Sequence, residues 1–338
     1  MTKKINRRNF CQNTLLSSAA LAFPGSILGQ KEVNDFPERE ANKIKGDGPE
    51  IIDTYVQLFD YPFRNLKYSQ TGDLINKLRK HKISEAWAGS FEHLFHKNID
   101  LANRKLRGEV DTKGKDMLVP VGSVNLTWPD WEEDLRRCKE EYQMDIVRIF
   151  PLYQMNELSG EKFEKFVQLA TRYQMLIQIV GDVEDRRHHH PLLEIRNIDF
   201  APLVDIGKKY SKARIQLLHW NRRINKNLLG QMTGESHHMF GKNRLHGLDD
   251  KILKRLGDET NIVFDISRVE GAGEVGGLIH GDSWYGPDTK IPAERFLFGS
   301  YAPYFPVESA LLKLFEYPMS ESELRSIMRD NAEKLLKI

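Results

Sequence analysis

The sequence predicts a (β/α)8 barrel, and three observations predict it. Eight short apolar runs recur along 338 residues, helical patterns fill most of the gaps, and no glycine-rich phosphate-binding turn follows a strand. An open doubly wound sheet is the competing architecture, and the missing nucleotide fingerprint counts against it.

The strands are read at 51–58 (IIDTYVQL), 84–90 (SEAWAGS), 117–124 (MLVPVGSV), 145–150 (DIVRIF), 175–181 (MLIQIVG), 214–220 (RIQLLHW), 261–267 (NIVFDIS) and 295–301 (RFLFGSY). Between them, TGDLINKLRKH, WEEDLRRCKEEY and GEKFEKFVQLATRYQ carry apolar residues at three- and four-residue steps, which is the stripe of an amphipathic helix. The barrel is expected to occupy 49–338. Residues 30–48 (QKEVNDFPEREANKIKGDG) are polar and broken by Pro and Gly, and read as a flexible linker.

Residues 1–29 read as a processing segment. Lys3, Lys4, Arg7 and Arg8 precede the mildly apolar TLLSSAALAF, and Phe10 stands two residues after the arginine pair. The stretch resembles a twin-arginine export signal, which implies the twin-arginine translocation machinery as a partner and an extracytoplasmic, periplasmic destination. An ordinary secretory signal and a basic tail are the alternatives. Those four cations leave 46 basic against 48 acidic residues in the rest of the chain, so no basic surplus exists to neutralise nucleic-acid phosphates. No apolar run of membrane-spanning length is expected in the mature chain. Of the two cysteines, Cys11 lies in the signal and Cys138 is expected to be a surface or half-buried helix thiol, so no internal disulfide is expected.

With Ile51 to Leu335 in view, the sequence resembles the amidohydrolase superfamily in its amidohydrolase-related branch. The resemblance rests on IIDTYVQLFDYP, RIQLLHW, NIVFDIS, ERFLFGSYAPY and the tail IMRDNAEKLL. It implies a metal-dependent hydrolase with a His-x-His pair on the first strand, histidines on the fifth and sixth, and an aspartate after the eighth. Such ligands hold divalent ions that lower the pKa of an attacking water. Here the pair is Tyr55 and Gln57, the fifth-strand position falls near Val180, the aspartate is Tyr301, and His219 stays. A neutral amide, two phenols and a valine are poor replacements for imidazole and carboxylate. The resemblance therefore implies a degenerate metal site. No cofactor is expected, with a zinc or manganese ion as the alternative.

Carboxyl ends of barrel strands face the active-site mouth. The candidates there are Tyr55, Gln57, Ser90, Asn125, Arg148, His219, Asp265, Ser267, Tyr301 and the run GDVEDRRHHHP. His219 and Asp185 are the candidate catalytic pair, and Arg148, Tyr55, Gln57, Asp182, Glu184, His188 and Tyr301 the candidate substrate contacts. Each has a structural alternative. His219 also reads as a hydrogen-bonded core histidine, and Arg148 as half of an ion pair with Asp265 or Glu184. Asp265 reads as support for the mouth. Tyr55 and Tyr301 read as fillers on opposite strands. GAGEVGG (271–277) lacks nucleotide-loop spacing and suggests a loop over the mouth, with no obvious helix after it and with His280 and Trp284 as contacts. A second rim loop is expected at 236–247. The expectation is a hydrolase, lactonase-like, for a small polar substrate that is carboxylated or sugar-derived. A non-catalytic descendant that binds a ligand or partner at the mouth is the other reading.

Overall fold

Eight parallel strands follow one another in sequence order: β1 (Ile51–Leu58), β2 (Ile83–Ser90), β3 (Leu118–Ser123), β4 (Ile146–Ile149), β5 (Leu176–Val180), β6 (Arg214–Leu218), β7 (Val263–Asp265) and β8 (Phe296–Leu297). The computed structural model describes residues 50–184, 189–193, 198–220, 248–269, 273–283 and 289–337. The segment from β8 closes on β1. Thr54 N donates to Phe298 O at 2.9 Å, Tyr301 N to Tyr55 O at 2.8 Å, and Gln57 N to Ala302 O at 2.9 Å. Closure satisfies backbone groups that an open sheet would leave at its edge.

The last two strands are shorter than the apolar runs that announce them. The run 261–267 contracts to three strand residues and 295–301 to two. Beyond β8 the chain packs Gly299 against the Asp265 side chain and then turns through Tyr301 at φ 57°, which ends regular pairing.

Helices cover the barrel with one apolar stripe each. In α1 (Thr71–Lys80), Thr71, Leu74, Ile75 and Leu78 are buried, and in α4 (Gly160–Arg172), Phe163, Phe166, Val167 and Ala170. Between them run α2 (Ile99–Glu109) and α3 (Trp131–Glu140). Helix α3 opens on Glu132, Glu133 and Asp134 and closes on Arg137 and Lys139, charges that complement the helix dipole. The outer layer continues with α5 (Pro202–Lys209), α6 (Asp250–Glu259), α7 (Glu274–His280), α8 (Val307–Phe315) and α9 (Asn331–Leu336).

Two expectations are corrected here. Cys138, on the buried face of α3, is fully buried rather than half-exposed, and burial pushes its thiol pKa up. The glycine-rich stretch does lead into a helix, α7. A Cβ at Gly276 would run into the Tyr317 ring, so this glycine serves close packing. His280, at the end of α7, contacts Glu323 at 3.2 Å and stacks on Tyr317. Trp284 and 236–247 lie outside the described residues.

The barrel interior is layered. Ile52, Trp87, Val121, Ile146, Leu176, Val263 and Leu297 form an apolar floor. Above it lies a polar belt of Thr54, Arg148, Gln178 and Gln216, and above that an aromatic layer with Tyr55, Phe91, Phe150 and Tyr301. Strand β1 supplies all three layers by breaking its own alternation. Ile52 and Thr54 serve the lower two, Tyr55 serves the upper one, and Val56 belongs to the outer core. The switch coincides with a shift in the β1–β2 register between Asp53 and Val56.

Candidate active site at the strand ends

The site rests on the polar belt. Arg148 is completely buried on β4, and its guanidinium is held by neutral oxygens. Nε donates to Gln178 Oε1 at 2.9 Å, Nη1 to Val56 O at 3.2 Å and Nη2 to Trp87 O at 3.3 Å. Gln178 Nε2 donates to Thr54 O at 3.0 Å and Gln216 Oε1 at 2.8 Å, and Gln216 Nε2 donates to Thr54 Oγ1 at 2.8 Å. Thr54 Oγ1 then donates to Phe298 O at 2.9 Å. None of the three Arg148 acceptors is a carboxylate, so the ion pair expected with Asp265 or Glu184 is replaced by contacts to an amide and two backbone carbonyls. Burial lowers the Arg148 pKa to about 10, while Tyr55, Tyr301, Asp265 and Asp53 act on it through space in the opposite direction.

Over this cation lies the Tyr55 ring, 4.7 Å from the guanidinium carbon to the ring centroid. Tyr301 stacks on Tyr55 at 4.6 Å, so these residues come from strands that meet at the barrel seam, not from opposite walls. His219 meets Tyr301 edge-on at 4.7 Å and Phe305 face-on at 5.5 Å. Its backbone sits at φ 48°, with its N–H donating to Asp265 Oδ1 at 2.8 Å. Its ring Nδ1 lies 3.3 Å from Ser267 Oγ. Four predicted residues, Tyr55, Gln57, His219 and Tyr301, thus belong to one buried constellation: Gln57 influences the Tyr55 phenol directly, as Tyr301 does.

Burial sets the electrostatics. It raises the Asp265 pKa to about 7, against hydrogen bonds from Ser267 and His219 that favour the carboxylate. It raises Asp53 to about 6, although Asp53 Oδ1 accepts Tyr55 N at 3.1 Å and Ser300 N at 3.0 Å. Tyr55 and Tyr301 are pushed well above their ordinary value and stay protonated. The Tyr55 hydroxyl lies within reach of Tyr301 and Gln57, but no well-aligned hydrogen bond joins Tyr55 Oη, Tyr301 Oη, either amide atom of Gln57, Asp53 Oδ2 or Asp265 Oδ2 to a partner among the described residues.

Other predicted residues are tied into the surrounding frame. Asp182 Oδ1 accepts Tyr153 Oη at 3.2 Å and Val183 N at 2.9 Å. Glu184 accepts Tyr304 Oη at 3.2 Å and His190 N at 2.9 Å. Ser90 Oγ accepts Glu92 N, and Asn125 Oδ1 accepts Thr127 N, each closing a local turn. Asp185, Arg186, Arg187 and His188 lie outside the described residues.

Sequence reasoning missed Gly89 and His93. A Cβ on Gly89 would lie 2.5 Å from Arg148 Nη1 and 2.7 Å from Gln57 Oε1. His93 is buried just beyond β2, with its side chain beside Asn103. Burial, followed by the nearby Arg148 charge, lowers its pKa to about 3. The run SFEHLFH immediately after the second strand was the available signal.

Metal centres in proteins take three or four imidazole, thiolate or carboxylate donors. Among the described residues, no group of three or more His, Cys, Asp or Glu side chains is placed to hold an ion. At the strand ends, the described residues place His219, Asp265 and, beyond β2, His93 near phenols and an amide.

The architecture is a (β/α)8 barrel, and solved structures resemble it at the level of the fold. The 5-carboxyvanillate decarboxylase of Sphingomonas paucimobilis superposes with a TM-score of 0.57 at 10% identity, over 85% of this chain and 98% of that one. The corresponding enzyme of Novosphingobium aromaticivorans, solved with manganese and a nitrobenzoic acid ligand, gives 0.53 at 16%, over 86% and 97%. A probable 2-pyrone-4,6-dicarboxylic acid hydrolase of Acinetobacter baumannii, with citric acid bound, gives 0.55 at 13%, over 85% and 99%. No protein-family profile and no curated protein matches the sequence.

Proposed function

We propose that this chain is an exported hydrolase of a small carboxylated lactone or ester, working at a strand-end site whose usual metal-ligand positions are substituted. One observation carries the reading: the phenols of Tyr55 and Tyr301, the Gln57 amide and Asp265 Oδ2 are buried around one region without well-aligned partners among the described residues. Leaving a buried polar group unpaired costs about 1–3 kcal/mol. Several together mark a place where substrate or water supplies the missing bonds. Barrels of this fold described as acting on 5-carboxyvanillate and pyrone dicarboxylate support a carboxylated substrate.

The chemistry follows from the protonation states. Asp265, with its pKa at about 7, suits a general base near neutral pH. It takes a proton from water as the water oxygen bonds to the acyl carbon. The same proton then passes to the leaving oxygen as the acyl C–O bond breaks, giving one hydroxy acid from a lactone or an acid and an alcohol from an ester. Tyr55 and Tyr301, kept protonated by burial, donate to the acyl oxygen as it gains charge. His219 lines the same space, fixed by Asp265 and Ser267, and orients the water or the leaving group. Asp185, which the sequence puts on this rim, is the second candidate base.

The stack of two fully buried tyrosines over the belt favours a second reading, a non-catalytic ligand-binding barrel. Turnover of a panel of carboxylated lactones and sugar-acid lactones, with and without chelator, separates the two. The expected result is hydrolysis that persists in chelator and is lost in Asp265→Asn. Binding without turnover would establish the second reading. Activity abolished by chelator and restored by zinc or manganese would overturn the substituted-site chemistry.

A further inference from the structure

We propose that Asp53 is a positioning residue for the mouth: one of its carboxylate oxygens clasps the barrel seam and thereby sets Tyr55 and Tyr301 ring on ring. The proposal rests on the functional reading above only in treating those two phenols as groups that meet the ligand. Asp53 Oδ1 accepts from Tyr55 N at 3.1 Å, on its own strand, and from Ser300 N at 3.0 Å, beyond β8. The Ser300 side chain hydrogen-bonds to Asp53 as well. Both N–H donors belong to the stack's own backbone, since Tyr55 is one member and Ser300 immediately precedes the other. Tyr301 N donates in turn to Tyr55 O at 2.8 Å. One carboxylate oxygen and one backbone bond therefore fix the two tyrosines relative to each other.

The register explains why a clasp is needed at this point. Asp53 pairs with Ala86 and Val56 with Ala88, so Thr54 and Tyr55 together span the place of Trp87 alone. Such a bulge takes backbone groups out of the ladder, and a buried N–H then needs another acceptor. The short Asp53 side chain reaches two residues on along its own chain and supplies one. Across the seam, Ser300 lies past the two-residue β8, where the ladder has already stopped. Gly299, just before it, packs closely: a Cβ there would lie 2.7 Å from Asp265 Oδ2 and 3.3 Å from Tyr55 Cβ. Asp53 is fully buried, so its oxygen serves both N–H groups in a setting where charge-assisted bonds are strong. Its reach ends at the backbone, and it acts on the phenols through the peptides that carry them. The bulge turns Tyr55 toward the mouth, and the same carboxylate brings Tyr301 onto it.

The test is fluorine NMR of the full chain labelled with fluorotyrosine, read beside urea unfolding. Tyr55→Phe and Tyr301→Phe assign the two resonances by their loss. Stacked rings displace each other's signals from the position of free fluorotyrosine. In Asp53→Ala both resonances should lose at least half of that displacement. In Asp53→Asn, which keeps one oxygen for both N–H groups, both should stay in place. A residue that only stabilises the fold would lower the urea midpoint of Asp53→Ala and leave both resonances of the folded chain unmoved, and that result would overturn the clasp. If Asp53→Ala does not fold, Asp53→Glu carries the same expectation, because its added methylene takes the carboxylate off the two N–H groups. Loss of the displacement in Asp53→Asn as well would overturn the clasp and assign the effect to the charge. Any lactone turned over by the parent chain should be turned over about tenfold more slowly by Asp53→Ala, with recovery in Asp53→Asn. Resonances that behave as expected, with no lactone or ester hydrolysed, would support the clasp and overturn the functional reading. Hydrolysis with both resonances fixed in every folded Asp53 variant would do the reverse.

Discussion

Tyr55 of β1 and Tyr301 beyond β8 lie ring on ring across the barrel seam, centroids 4.6 Å apart and planes 5° apart. The backbone repeats the association, since Tyr301 N donates to Tyr55 O. The stack fixes both phenols above Arg148, where burial keeps them protonated and able to act as donors.

Tyr55→Phe separates the ring's packing from its hydroxyl. The hydroxyl has no well-aligned partner among the described residues, so deleting it should leave stability unchanged or raise it by up to about 1 kcal/mol. Ligand affinity or turnover should nevertheless fall about tenfold. Urea unfolding and titration of the same variant provide the check. A loss of stability above about 2 kcal/mol would mean that the hydroxyl is already bonded.

Asp265 should make stability depend on pH with a definite sign. Its pKa rises from 3.8 to about 7 on folding, so the native state holds the proton more tightly. This contribution is fully present below about pH 4 and is lost as pH rises through 7, with a slope of up to about 1.4 kcal/mol per pH unit. Asp53, raised to about 6, acts in the same direction at lower pH. Between pH 6 and 7 Asp53, Asp134 (also raised to about 6) and His93 (lowered to about 3, and opposite in sign) still contribute, so the difference between wild type and variant isolates Asp265. Asp265→Asn keeps an acceptor for His219 N–H and should flatten the curve there, as measured by urea midpoints at half-unit steps.

Gln178 is the joint of the polar belt, bonded to Arg148, Thr54 and Gln216. Gln178→Leu strands an arginine donor and two acceptors in the interior. The expected cost is about 2–4 kcal/mol in chemical unfolding. A cost below about 1 kcal/mol would show that water replaces the amide.

Arg7→Lys combined with Arg8→Lys should hold the chain in the cytoplasm if the twin-arginine reading is right. Fractionation of cells expressing the full chain measures this. Normal delivery of the double variant would reassign the segment to another route.

The strand runs and helix stripes were legible because they record burial periodicity, and eight such runs fit few architectures. The convergence of Tyr55, Gln57, His219 and Tyr301 was legible through a resemblance that aligns strand ends. The partners of Arg148 were not. Sequence shows that an arginine lies in an apolar strand, but its acceptors come from β1, β2 and β5, and two are backbone carbonyls invisible to residue type. Gly89 was silent for a related reason: its role depends on what its absent side chain would strike.

By itself the sequence determined which segments become strands, that their ends carry polar side chains, and that Tyr55 and Gln57 stand near the end of the first. Tertiary structure decided how β1 is spent. Strict alternation would put Ile52, Thr54 and Val56 on one face and Asp53, Tyr55 and Gln57 on the other. Instead, Ile52 and Thr54 serve the inner layers, Tyr55 joins them, and Val56 turns to the helices. The register shift with β2 and the closure bonds from Tyr301 and Gln57 hold that switch in place. A strand's period of two is local, but where it slips depends on neighbours that meet only when the barrel closes.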